Sequence, residues 1–209
     1  MSDPATTIED LLRRQGRTFY EQAGITLRDK PSPLFRLLVL CILLAKPISA
    51  DIATAASREL RRIGVRTARG TLDTTWQQRV DALGRAHYRR YDESTATRLQ
   101  QAAELVADHW RGDLRRLADE ASGDASAAAR LLTDVPGIGP TGADIFLREV
   151  QRVWPWLRPY CDQRVRDGAR LVGLPHSPRR LADLFQGRDA AALAAALVRV
   201  TIDGPPTSG

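Results

Sequence analysis

Hydrophobic positions recur at three- and four-residue steps along nearly the whole chain, and no segment alternates apolar and polar residues as a half-buried strand would. "TTIEDLL" opens with Thr6 and Thr7 three residues before Glu9 and Asp10, a capping-box spacing, and Ile8, Leu11 and Leu12 then form an apolar stripe. "KPSPLF" breaks the chain ahead of "LLVLCILLA" (37–45), less than half a membrane span and therefore a buried helix, which Pro47 ends. "SADIATAASRELRRIG" starts at a Ser49 cap and stops at Gly64. Further helices are predicted around "DTTWQQRVDAL", "ESTATRLQQAAELVADHW", "GDLRRLADEA" and "GDASAAARLLTDV". After a knot of Gly and Pro come "GADIFLREVQRV", a crossing "WPWLRPY", then "CDQRVRDGARLVG", "SPRRLADLF" and "DAAALAAALVRV". The tail 203–209, "DGPPTSG", is expected to be disordered. The fold class this pattern predicts is all-α.

The knot lies in "LLTDVPGIGPTGADIFLREV" (131–150), where two prolines and three glycines separate two helical stretches. A helix ending at Asp134, a hairpin "VPGIGP" and a helix from about Thr141 make a helix–hairpin–helix over about 129–150. Gly137 and Gly139 are expected to allow positive φ and close approach of another backbone, while Pro140 suits a first helical position. The free amides of Gly139, Thr141 and Gly142 would then face outward from the positive end of a helix dipole, where an anion belongs. Such amides grip a nucleic-acid backbone without reading its sequence. The expected phosphate-binding set is Gly137, Gly139, Thr141 and Gly142; the alternative is a helix–helix turn packed inside the protein.

Composition changes this picture little. Hydrophobic residues make 43% and charged residues 27% of the chain, ordinary for a soluble globular protein. The net charge of +6 points to a polyanionic partner. Yet Lys30 and Lys46 are the only lysines, and an Arg- and Ala-rich bias from a GC-rich genome accounts for the charge equally well. Cys41 and Cys161 give no zinc pair and no four-thiolate set, and His87, His109 and His176 are scattered, so neither metal nor cofactor is expected. No basic-then-apolar leader pattern opens the chain, and a cytoplasmic, nucleoid-associated location is expected.

"LLTDVPGIGPTGADIF" followed by "RPYCDQRVRDGARLVGL" resembles the helix–hairpin–helix–Gly/Pro–Asp (HhH-GPD) superfamily of base-excision DNA glycosylases, endonuclease III-like members above all. Asp162 with Val165, then Arg170, Gly173 and Leu174, fits that signature, and the likeness covers about residues 31–175. The resemblance implies a two-lobed fold: a six-helix barrel with the hairpin (31–150), and a second helical lobe (1–30 plus 151–202) carrying the catalytic Asp. It also implies double-stranded DNA with a damaged or modified base as partner, no membrane, and a monomer.

Breaking an N-glycosidic bond builds positive charge on the sugar, which one carboxylate can stabilise. Asp162 is the candidate catalytic residue, and a bare helix N-cap is its alternative role. Family members that also nick DNA use a hairpin lysine to form a Schiff base. The matching position is Thr141, neither lysine lies near the motif in sequence, and the family's cluster cysteines are absent. A monofunctional glycosylase is therefore expected, a deaminated or oxidised pyrimidine being the favoured target. For the gap left by a flipped base, Tyr91 or Tyr88 in "HYRRYDE", with Lys46 in "LLAKP", are the wedge candidates. Trp154, Trp156 and Tyr160 are the candidates for the base pocket, with core packing as their alternative. Two rivals remain: a non-catalytic helix–hairpin–helix DNA-binding protein, and a helical scaffold whose charge reflects codon bias alone.

Overall fold

The computed structural model describes residues 3–205, and among them it contains helices and no strand. In chain order they are α1 (Pro4–Gln15), α2 (Phe19–Gln22), α3 (Pro31–Leu44), α4 (Ala50–Arg62), α5 (Ala68–Leu72) and α6 (Trp76–Arg85). There follow α7 (Asp92–Trp110), α8 (Arg115–Ala121), α9 (Ala125–Thr133), α10 (Pro140–Val150), α11 (Gln163–Leu171), α12 (Pro178–Phe185) and α13 (Ala190–Asp203). The all-α expectation holds. Of the expected tail, Asp203 closes α13, and residues 206–209 lie outside the described residues.

Local chemistry sets the starts of these helices. Ser49 caps α4, accepting from the Ile52 amide at 3.3 Å, as its position ahead of the apolar stripe predicts. Thr75 and Gln78 form a reciprocal capping box on α6. At α1 the capping box at Thr6 and Thr7 does not form. The helix begins earlier, with Asp3 at the N-cap and Pro4 in the first turn, and the Thr7 hydroxyl donates to the Asp3 carbonyl at 3.3 Å. A proline whose missing N–H costs nothing there starts the helix ahead of the threonines.

Two groups of buried side chains hold the helices together. The larger spans Phe19 to Leu157 and is centred on α3, which buries every residue from Leu37 to Leu43. A helix apolar on all faces must be wrapped by others, and α4, α7 and α10 pack on it. Phe19, Tyr20 and Ile25 join this group although they precede residue 31, as do Trp154 and Leu157 beyond residue 150. The smaller group joins Ile8 and Leu11 of α1 to Val165 of α11, Leu181 of α12 and the inner face of α13. There Gly168 lets α11 press on α13, since a Cβ at that position would lie 2.0 Å from the Leu197 carbonyl oxygen.

Gln151, the C-terminal cap of α10, ties the two groups, and Glu149 braces the larger one. The fully buried Gln151 amide donates to the Arg148 carbonyl at 3.0 Å and to the Ala190 carbonyl at 3.4 Å, and it accepts from the Tyr160 amide at 3.0 Å. Buried Glu149 accepts from the Tyr20 amide at 2.9 Å. Burial pushes the Glu149 carboxyl up to about 7, against the pull of that amide and of Arg148 and Arg199.

Candidate functional site

The hairpin is built as its sequence suggests, with two differences. α9 ends at Thr133, and Pro140 opens α10 with Gly139 at its N-cap. Gly137 has φ +93, a conformation that favours glycine, and a Cβ there would come 3.2 Å from Ile42 Cγ2 and 3.3 Å from Arg98 Cβ. Gly139 does not take positive φ: at φ −101 and ψ −172 it is extended, the ordinary N-cap conformation, and a Cβ there would meet nothing within 4 Å. Gly142 is buried, with a Cβ position 3.3 Å from Ile138 and 3.6 Å from Ala45. The outward-facing part of the predicted phosphate clamp is therefore Gly139 and Thr141, both exposed, with Gly137 half-buried beneath them. No side chain caps α10, which leaves its first-turn amides without a side-chain acceptor.

The contact between Gly142 and Ala45 brings the end of α3 against the start of α10. Ala45, the residue before Lys46, is thus a neighbour of the hairpin helix although remote from it in sequence. The Lys46 ammonium sits 5.9 Å from the Tyr91 ring centroid, and the Arg90 guanidinium lies 5.3 Å from the same ring. Tyr91 is half-buried at the N-cap of α7. Tyr88 must be removed from the wedge candidates. It is fully buried, and its hydroxyl donates to the Leu43 carbonyl at 3.2 Å. Burial pushes that hydroxyl's pKa up to about 12, and packing in the core leaves the ring nothing to insert into a duplex.

Asp162 caps α11, its Oδ1 accepting from the Val165 amide at 3.1 Å. Its Oδ2 forms an ion pair with Arg148 Nη1, and the two side chains are only 5% and 4% exposed. Two further groups complete the cluster. Asp144 accepts from the Tyr160 hydroxyl at 2.6 Å. Burial pushes the Asp144 carboxyl up, and Asp162 adds to the effect, while Tyr160, Arg148 and Arg164 offset it. Burial also raises the pKa of the Tyr160 hydroxyl, so it donates rather than ionises. Neighbouring Cys161, whose thiol burial pushes up to about 12, offers no nucleophile at neutral pH.

Thr141, Asp144 and Arg148 stand three and four residues apart on α10 and so share one face, the face Asp162 meets. Arg148 and Asp144 belong to this cluster, and the sequence reading did not single them out. Their signal was three charged residues set among the buried apolar positions of "GADIFLREV".

Of the three aromatic pocket candidates only Tyr160 reaches this cluster. Trp154 is 3% exposed and donates through Nε1 to Asp29 at 3.0 Å, next to the start of α3. It stacks on Trp156 with ring centroids 5.8 Å apart, and both line a recess of about 490 Å³ with Asp29, Arg115 and Asp119. At about 1.5 Å per residue α3 is roughly 21 Å long, and the hairpin lies at its other end. Trp154 and Trp156 therefore line this recess, at the end of α3 away from the hairpin, and for Trp154 core packing is the role the structure shows.

No protein-family model matches this chain, and no curated protein matches it. Solved structures do. The 8-oxoguanine DNA glycosylase Tm1821 of Thermotoga maritima superposes with a TM-score of 0.54 at 19% identity, over 94% of this chain and 90% of that one. A trapped endonuclease III–DNA covalent intermediate, an estranged-adenine complex, gives 0.53 at 12% identity over 94% and 83%. A non-covalent endonuclease III–DNA complex gives 0.52 at 13% identity over 95% and 86%. The chain has the all-α fold of these glycosylases.

Proposed function

We propose that the chain is a monofunctional DNA N-glycosylase of base excision repair. In this reading it is an HhH-GPD protein with a two-lobed, six-helix-barrel architecture, lacking both the iron–sulfur cluster and the hairpin lysine. The observation that carries the reading is the meeting of Asp162 with the Thr141–Asp144–Arg148 face of α10, whose exposed start is the hairpin.

The hairpin amides at Gly139 and Thr141 hold the duplex backbone. The target base leaves the stack at a cost of a few kcal/mol, and Tyr91, with Lys46 and Arg90 against its ring, fills the gap. The C1′–N bond breaks, Asp162 stabilises the cationic sugar, and a water oxygen bonds to C1′ while the base departs with a proton. For this, Asp162 Oδ2 must part from Arg148. Thr141 has a hydroxyl where a lyase needs an amine, so no imine forms and the strand stays whole. A deaminated or oxidised pyrimidine is the favoured target.

The test is single-turnover excision on duplexes carrying uracil, thymine mismatches, 5-hydroxymethyluracil, alkylpurines or 8-oxoguanine. The expected product is an abasic strand that breaks only after alkali, with no adduct trapped by borohydride. An adduct lost on Lys46→Gln would overturn the monofunctional reading. A second reading, a DNA-binding protein without catalysis, draws on the near-complete burial of Asp162 against Arg148. Salt-dependent duplex binding with no excision of any base would establish it.

A further inference from the structure

The end of α10 opposite the hairpin opens on a recess of about 370 Å³ lined by Arg152, Arg158, Arg188, Asp189 and Ala190. Three guanidinium groups and one carboxylate give it a formal charge of +2. The carboxylate is already committed. Asp189 Oδ1 caps α13, accepting from the Ala191 and Ala192 amides at 3.1 and 3.2 Å, and Oδ2 pairs with Arg152. Among the described residues no ion pair involves Arg158 or Arg188. Main-chain carbonyls fix both instead. Arg158 donates through Nε to the Gln151 carbonyl at 2.6 Å and through Nη2 to that of Arg152. Arg188 donates through Nη1 to the Leu184 and Gln186 carbonyls at 3.1 and 3.3 Å.

Each guanidinium has five N–H donors, so these contacts hold the groups in place and leave donors unspent. Like charges gathered and pinned around a concavity repel one another unless an anion joins them. We propose that this recess binds a phosphate group of a small molecule, either free phosphate or the phosphate of a nucleotide. Planar guanidinium forks match phosphate oxygens in pairs, and a dianion would balance the surplus charge. A recess of this size admits a small anion and no duplex. α10 rises about 16 Å between the hairpin and this end, so the site is separate from the proposed DNA grip and does not depend on it.

Isothermal titration calorimetry of the full chain with pyrophosphate, at fixed ionic strength, tests the proposal. Saturable binding is expected, weakened at least about tenfold by Arg188→Gln, the loss of one charge-assisted contact. Arg158→Gln should weaken it similarly, and circular dichroism of both variants verifies that they remain folded. Binding of dAMP with the same sensitivity to both variants would identify a nucleotide as the natural source of the phosphate. Absence of saturable binding, or equal binding by wild type and both variants, would overturn the proposal. Displacement of pyrophosphate by a short lesion-free duplex would also overturn it, because the arginines would then lie on the path of DNA.

Discussion

Replacing Asp162 by Asn tests the buried pair and the chemistry at once, and the structure separates the two. Asn caps a helix about as well as Asp, so the bond to the Val165 amide survives. The loss falls on Arg148, whose side chain is 4% exposed and would keep its charge without its partner. Removing one member of a buried pair costs about 3–5 kcal/mol. Asp144, one turn earlier on α10 and half-buried, supplies a substitute anion that recovers about 1 kcal/mol. The net loss is then about 2–4 kcal/mol, which for a chain of this size lowers Tm by about 5–15 °C. Urea unfolding followed by circular dichroism measures it. Adding Arg148→Met removes the stranded charge, and the double variant should be more stable than Asp162→Asn alone by at least about 2 kcal/mol. If Asp162→Asn unfolds within about 0.5 kcal/mol of wild type, or the double variant is no more stable than the single one, the buried-pair argument is refuted. The stabilised double variant is the one in which lost excision reports on chemistry and not on folding.

Glu149 sets a pH dependence. Its carboxyl titrates near 4.5 when unfolded and at about 7 when folded, so the folded state holds the proton across that interval. Stability should therefore fall by about 3 kcal/mol as pH rises from 4.5 to 7. Glu149→Gln keeps an acceptor for the Tyr20 amide and should lack this slope; parallel curves for the two proteins would refute the assignment. Gly139→Val should fold normally, because its φ is ordinary and the Cβ space is open. It should weaken binding to any duplex about tenfold whatever the lesion, as measured by fluorescence anisotropy, since phosphate contacts position without specifying. A loss confined to lesion-bearing DNA would place the hairpin in the base pocket instead.

What the sequence made legible was short-range. The helical period, the caps at Ser49 and Asp162, the turn at Gly137 and the proline at the start of α10 all depend on neighbours within a few residues. The errors came from long-range packing. Tyr88 sits in a loop whose arginines look like a DNA edge, yet the core claims its ring because the end of α3 offers the Leu43 carbonyl as a partner. Trp154 and Trp156 stand only six to eight residues before Asp162, but Trp154 turns toward Asp29, 125 residues away. Lys46 stays a wedge candidate, and only its role as a lyase amine was excluded by distance along the chain, a distance that the approach of Gly142 to Ala45 shortens.

α10 shows why the two kinds of information differ. Its peptide dipole can be read from sequence as soon as the helix is, and it predicts an anion at Gly139–Thr141 and cations at the far end. Arg158 meets that second expectation, donating to the Gln151 and Arg152 carbonyls where the helix stops. Between its ends the helix has no such polarity to place a charge. A buried Arg148 is tolerated only because α11 begins with a carboxylate facing it, and the half-buried Asp144 is held by the Tyr160 hydroxyl. Those partners arrive through the "WPWLRPY" crossing, whose path depends on packing and not on periodicity. The charged centre of α10 is therefore specified jointly by two separated stretches of chain, and neither stretch alone carries its meaning.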